Sequence, residues 1–141
     1  MKVFLGGTCG TSTWRETLLK DLDESVDAYN PVVPNWSEEA RELEKLHKEN
    51  DDVVLFVITP ETPGTYSISE ITRYSITAPK RTMICVIPEA NGKSFTPHEA
   101  KAWDKILKEC KEDGSMICDT LESVAKTLNQ MAKGKGQPGE D

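Results

Sequence analysis

The sequence predicts an α/β fold, a three-layer sandwich in which helices cover both faces of a doubly wound, five-stranded, mainly parallel sheet. Short apolar runs rich in β-branched residues alternate along the 141 residues with stretches of helical apolar spacing, which is the pattern of such folds. The run at 53–58 is continuously apolar, as a strand covered on both faces must be. No internal repeat or linker interrupts the pattern, so we expect one domain over residues 1–132 of the Rossmann or flavodoxin-like type.

The strands and the helix starts follow in chain order. Five strands are predicted, at residues 2–5, 26–29, 53–58, 82–87 and 116–118. Helix starts are indicated by a Ser, Thr, Asp or Asn followed three residues later by Glu, because the two side chains can then satisfy backbone N–H groups of the first turn. Five pairs have this spacing: Thr13 with Glu16, Asn35 with Glu38, Ser67 with Glu70, Thr96 with Glu99, and Asp119 with Glu122.

Apolar spacing on three of these helices predicts the faces that pack on the sheet. The positions are Trp14, Leu18 and Leu22 on the first helix, Ala40, Leu43 and Leu46 on the second, and Trp103, Ile106, Leu107 and Cys110 on a later one. Residues 133–141 contain three glycines, one proline and no large apolar side chain. This composition predicts a flexible C-terminal tail.

The charge and the composition exclude several classes of partner. With 24 acidic and 17 basic residues the net charge is -7, so we expect no nucleic-acid polymer as a partner. The sequence contains no apolar run long enough for a membrane span or a signal peptide, which predicts a cytoplasmic protein without a membrane partner. The four cysteines and two histidines have no metal-binding spacing, and we expect neither a metal nor another cofactor.

The first candidate site is the loop that follows the first strand, at residues 6–13. Gly6, Gly7 and Thr8 open it, and the helix after it directs the positive end of its dipole toward the loop, as in sites that bind a phosphate or a sugar. The loop matches neither the P-loop nor the dinucleotide-binding glycine motif. The alternative is a tight glycine-rich turn that serves backbone geometry alone. Arg15, on the first helical turn, either reaches an anion of the ligand or is solvated.

The loops after the second and third strands supply further candidates. Asn30 and Trp36 lie in a loop stiffened by two prolines, where the indole ring would either stack on a base or pack on the core. Gly64, Tyr66 and Ser67 form the next loop and lead into the helix that carries Glu70. That glutamate either completes a capping box with Ser67 or acts as a carboxylate directed at an electrophilic sugar carbon.

Three segments resemble the nucleoside 2-deoxyribosyltransferase-like family. They are Gly-Gly-Thr at 6–8, the strand and its end at 52–60, and Gly-Thr-Tyr-Ser-Ile-Ser-Glu at 64–70, and the likeness in element order extends over residues 2–130. The resemblance implies that the first loop holds substrate, that Glu70 is the nucleophile, and that Glu44 on the second helix contacts substrate. Two departures are Phe4 in place of a tyrosine and Gly64 in place of an acidic loop residue.

With its hydroxyl groups and Arg15, the first loop is more similar to that of the related nucleotide N-glycoside hydrolases, in which this loop accommodates a 5′-phosphate. We therefore expect cleavage or exchange of the N-glycosidic bond of a nucleoside or nucleoside monophosphate. Trp36 and Tyr66 would pack on the base. A homo-oligomer is an expectation from the family. Two alternatives are a non-catalytic module that binds a nucleotide or nucleotide signal, favoured by the two departures, and a purely structural domain.

Overall fold

The computed structural model describes residues 1–136 and contains one five-stranded sheet, a short hairpin, five α-helices and one short 3-10 helix (Pro79–Arg81) in this part of the chain. The sheet strands are β1 (Lys2–Gly7), β2 (Asp27–Tyr29), β3 (Val53–Ile58), β4 (Thr82–Val86) and, after the hairpin, β7 (Met116–Cys118). The hairpin strands are β5 (Glu89–Ala90) and β6 (Lys93–Ser94). The helices are α1 (Trp14–Asp21), α2 (Glu38–Asn50), α3 (Thr65–Thr77), α4 (Pro97–Asp113) and α5 (Leu121–Gly136).

The sheet has the order β2-β1-β3-β4-β7, and all its pairings are parallel. The α/β sandwich prediction is therefore confirmed. All five predicted strands are present, and β1 extends two residues beyond its predicted end. The hairpin was not anticipated, although Asn91 and Gly92 both have positive φ in its turn, and Asn-Gly is the strongest short-range hairpin signal.

Two apolar cores lie on opposite faces of the sheet. Alternate residues of β3 serve both cores, so every residue of this strand is buried. One core contains Trp14 and Leu18 of α1 together with Val124 and Leu128 of α5. The other contains residues of α3 and α4. The predicted apolar faces of the first helix and of the later helix at 97–113 are thus confirmed.

The predicted core face of the second helix is wrong. Leu43 and Leu46 of α2 are 46% and 55% exposed, and no residue of this helix is buried. Polar contacts hold its C-terminal end instead. Arg81 donates to the carbonyl groups of Lys48 and Asp51, which leaves the rest of α2 free to form one wall of an open groove.

The predicted capping boxes are present at only one of five helix starts. Thr96 and Glu99 form the complete box, whereas Thr13 makes no side-chain capping bond. In α2 the cap is Ser37, whose hydroxyl accepts from the backbone N–H of Ala40, two residues after the predicted Asn35. The α5 cap also lies later than predicted, since Thr120 and Ser123 cap each other. Each of these loop ends contains several residues that could cap the helix, so the three-residue spacing alone does not identify the residue that does.

The last described helix extends into the segment that the sequence predicts to be a tail. The predicted tail begins at residue 133, whereas α5 continues to Gly136. Residues 137–141 of that predicted tail lie outside the described residues. Over residues 1–136 no helix is long and apolar enough to cross a membrane.

Candidate functional site

The candidate site is a groove of about 510 Å³ between α2 and α3. These helices flank β3 in the chain, and β1 lies beside β3 although β2 precedes it in sequence. The strand order reverses at β1 and β3, which is where open α/β sheets bind ligands. From α2 the groove is lined by Arg41, Glu44, Lys45, Lys48 and Glu49. The other lining residues are Trp36 before α2 and, on α3, Tyr66, Glu70, Arg73 and Tyr74.

Glu70 is not a capping residue in the structure. The helix α3 begins at Thr65, and Gly64 is its N-cap with φ of 67° in the left-handed region. Ser67 is therefore already inside the first turn, and Glu70 lies in the second, where the backbone N–H groups have helical partners. The capping interpretation of Glu70 is wrong, and its carboxylate turns to the groove.

One lysine joins two carboxylates on the groove wall. Lys48 Nζ lies 2.6 Å from Glu70 Oε2 and 3.0 Å from Glu44 Oε1. The three side chains are only 14–23% exposed. Burial by itself lowers the pKa of Lys48, but the hydrogen bonds to Glu70 and Glu44 outweigh it, so the pKa is raised. Lys48 is therefore a fixed cation, and the triad has a formal charge of -1.

Aromatic rings surround this triad. The Phe4 and Tyr66 ring centres lie 5.6 and 5.9 Å from Lys48 Nζ. Trp36 and Tyr66 are exposed at the groove, while Tyr74 is half-buried and burial raises the pKa of its phenol. Exposed rings beside a charged centre can stack on a flat heterocycle, which a nucleobase provides.

Gly6 and Thr8 at the start of the first loop make close contacts within the protein. The backbone N–H of Thr59 donates to the Thr8 hydroxyl, and Trp14 Nε1 donates to the Thr8 carbonyl. Thr8 itself is buried. At Gly6 a Cβ would lie 3.0–3.2 Å from the rings of Phe4 and Phe56. These residues do not line the groove, and their contacts fit the tight-turn interpretation of the loop.

Arg15 does not have the ligand-binding position expected from the sequence. Its side chain folds beneath the first loop, and the residue is only 3% exposed. Nε donates to the Leu5 carbonyl and Nη1 to the Thr8 carbonyl, and the guanidinium lies 4.4 Å from the Trp14 ring centre. Burial lowers the pKa of Arg15. The expectation that Arg15 is either solvated or bound to a ligand anion is wrong, because backbone carbonyl groups already accept its N–H donors.

The loop before α3 contains an acidic residue, although Gly64 stands at the position where the resemblance implies one. Glu61 precedes Gly64 by three residues, and its carboxylate accepts hydrogen bonds from Ser12, Thr59 and Asn91. The hydrogen bond from Ser12, followed by those from the other two donors, lowers the pKa of Glu61 against the effect of burial. Glu61 thereby joins the first loop, the β3 end and the hairpin.

The predicted site residues thus divide into two groups. Glu70, Glu44, Trp36 and Tyr66 meet at the groove. The others lie outside its lining and have local roles: Gly6, Gly7, Thr8 and Arg15 in the first loop, Asn30 as acceptor for the Val32 N–H, Gly64 as the α3 cap, and Ser67 in the first turn of α3.

The groove also contains residues that the sequence prediction did not include. Arg41, Lys45 and Lys48 recur at helical spacing on α2, so their common face was detectable from the sequence. Arg73 and Tyr74 lie one turn after Glu70. Whether these two residues line the groove depends on how α2 and α3 pack, which no local sequence pattern specifies.

A second hollow, of about 600 Å³, lies between α1 and α5. Asp21 and Asp23 border it, and Asn129 bonds to both of their backbones. Among the described residues no aromatic side chain lines it, so it lacks the aromatic walls of the groove. Within residues 1–136 no cluster of three or more His, Cys, Asp or Glu side chains could hold a metal ion.

Removal of Lys48 provides a test of the triad. Lys48→Met should lower the free energy of unfolding by about 1–2 kcal/mol, because two partly buried carboxylates lose their shared cation. The cost should fall by about 1 kcal/mol in a Glu70→Gln background, measured by urea unfolding as a double-mutant cycle. Lys45→Met is the matched control, and we expect a change within about 0.5 kcal/mol. An equal cost of Lys48→Met in both backgrounds would show that the ion pair has no energetic weight.

Comparison with known proteins gave a family match. A family described as nucleoside 2-deoxyribosyltransferase like matches residues 1–90. The match runs from β1 through β4 and includes every residue that lines the groove. No curated protein and no solved structure matched the chain significantly. The matched segment is well over half of the 141 residues, and the chain belongs to the nucleoside 2-deoxyribosyltransferase-like family.

Proposed function

We propose that the protein cleaves or exchanges the N-glycosidic bond of a nucleoside or nucleoside monophosphate, with Glu70 as the nucleophile. The observation that carries this proposal is the position of Glu70. Its carboxylate takes no part in capping α3 and lines a groove with aromatic walls. The family match supports the same class of reaction.

The chemistry requires a bond from a Glu70 oxygen to the anomeric carbon while the carbon–nitrogen bond breaks. The bonding electrons leave with the base nitrogen, which takes up a proton. Positive charge develops on the sugar during this exchange. The formal charge of -1 on Glu44, Lys48 and Glu70 stabilises such a transition state electrostatically. Water or a second base then attacks the same carbon and releases Glu70.

Lys48 acts in this scheme as a positioning residue. It holds Glu70 Oε2 at 2.6 Å, which fixes the carboxylate against the groove wall in the absence of substrate. Glu44 shares the lysine at 3.0 Å, so the cation is not directed at Glu70 alone. The arrangement keeps the nucleophile oriented, and near-attack orientation is a major source of rate enhancement.

The second candidate function is a binding module for a nucleotide or nucleotide signal. The short Lys48–Glu70 ion pair favours it, because a carboxylate engaged by a cation is a weaker nucleophile. Phe4 beside Lys48 supplies no hydroxyl group where the transferases of the family have a tyrosine. A binder would use the same aromatic walls without breaking a bond.

Base release and a covalent intermediate distinguish the two functions. The full chain is incubated with ribo- and deoxyribonucleosides and their 5′-monophosphates, and free base is quantified by chromatography. Samples quenched in acid are examined by intact-protein mass spectrometry for the added sugar. We expect release of base and a sugar adduct that maps to Glu70. Thermal stabilisation by these compounds without any release of base would select the binding module.

A further inference from the structure

Three of the cations that line the groove form no ion pair in the described part of the chain. Arg41 and Lys45 on α2 and Arg73 on α3 are exposed and line the same groove as Glu70. Within residues 1–136 none of them forms an ion pair with a carboxylate. Lys48, the fourth cation of the groove, is paired with two carboxylates.

The charge of the groove is opposite to that of the whole chain. Four basic and three acidic side chains line it, in a protein with a net charge of -7. Arg41 and Lys45 are one turn apart on α2, and like charges at this spacing weakly destabilise a helix. Glu38, Glu39 and Glu42 of the same helix do not line the groove. Positive charge on α2 is therefore concentrated on the side that faces α3.

Arg15, the cation that the sequence analysis associates with a phosphate at the first loop, is not available to a ligand anion. The Arg15 guanidinium is buried and donates to the Leu5 and Thr8 carbonyls. An anionic group on a ligand of the groove would instead meet cations from both walls. Two guanidinium groups can each donate a pair of parallel hydrogen bonds to phosphate oxygens.

We propose that Arg41, Lys45 and Arg73 form a phosphate subsite, so that the groove prefers a phosphorylated nucleoside to the free nucleoside. This inference rests on the proposed function, since it places the sugar and base beside Glu70 and the aromatic rings. The phosphate lies toward the three cations that form no ion pair.

The test compares one nucleoside with its 5′-mono- and 5′-diphosphate by titration calorimetry at low ionic strength, with inorganic pyrophosphate as a separate probe. The variant R41Q/K45Q/R73Q removes three positive charges from the groove. Its matched control, K101Q/K105Q/K108Q, removes three from the exposed surface of α4. The single variant R73Q is included in case the triple variant unfolds.

We expect the wild-type chain and the α4 control to bind at least one phosphorylated form about tenfold or more tightly than the nucleoside, as charge-assisted hydrogen bonds predict. The groove variant should reduce this ratio to about twofold, and R73Q should reduce it severalfold, because the affinity for the phosphorylated form falls more than the affinity for the nucleoside. Pyrophosphate should bind more weakly than the nucleotide.

Three results would overturn the subsite: equal affinity for nucleoside and nucleotides, a preference that survives in the groove variant, or pyrophosphate binding as tight as that of the nucleotide. The proposed reaction is judged separately by base release. Turnover without a phosphate preference would reject the subsite and retain the reaction. A phosphate preference lost in the groove variant, without turnover, would retain the subsite and reject the reaction.

Discussion

Glu70→Gln should lower the rate of base release by about 10³-fold or more, which corresponds to roughly 4 kcal/mol of transition-state stabilisation. Glutamine has nearly the same shape as glutamate, but its amide cannot form the ester to the anomeric carbon. The variant also removes the negative charge that Lys48 contacts at 2.6 Å. The measurement is single-turnover base release, with circular dichroism to show that the fold is retained.

The matched control for this variant is Glu49→Gln. Glu49 lines the same groove, is exposed, and makes no ion pair within the described residues 1–136. Its rate should change by less than about threefold, as for surface positions away from the reacting atoms. In Glu70→Ala, azide should restore turnover and yield a glycosyl azide, since the anion can attack the carbon in place of the carboxylate. A Glu70→Gln rate above one tenth of the wild-type rate would reject Glu70 as nucleophile.

The sheet and most helices follow directly from local patterns. The buried run of β3 is recognisable because each of its side chains meets an apolar core on one face or the other. The second helix shows where such patterns fail. Leu43 and Leu46 have core-like spacing but are about half exposed, while Arg81 holds the C-terminal end of the helix through the carbonyl groups of Lys48 and Asp51.

The site was predictable only in part, for a related reason. The position of Glu70 on the helix after the third loop makes it a candidate, which the family resemblance strengthens, and Glu44 follows from the resemblance alone, but the spacing of Ser67 and Glu70 also matches a capping box. The left-handed Gly64 is the N-cap of α3, three residues before Ser67, and removes that ambiguity. The link from Lys48 to Glu70 joins residues far apart in the chain, and the direction of the long Arg15 side chain depends on Leu5 and Thr8. Neither contact has a local sequence signature.

Gly7→Ala should destabilise the protein more than any other small substitution in the first loop. Gly7 pairs with Val57 across the centre of the sheet and has φ of 111°. A Cβ at this position would lie 2.1 Å from the Val57 carbonyl oxygen and 2.7 Å from its nitrogen. The methyl group therefore meets backbone that is fixed in the β1–β3 ladder, and the strands must separate to admit it.

We expect Gly7→Ala to lower the free energy of unfolding by about 4 kcal/mol, from backbone strain together with steric overlap, and to lower the Tm by more than about 10 °C. Gly92→Ala separates the two causes. Gly92 also has a positive φ, of 73°, but a Cβ there meets no atom within 4 Å, so its cost should be about 1 kcal/mol. Urea unfolding at low temperature measures both. Equal costs would mean that backbone strain alone accounts for the effect at Gly7. A much larger cost at Gly7 would show that the close approach of β1 and β3 requires a glycine at this position.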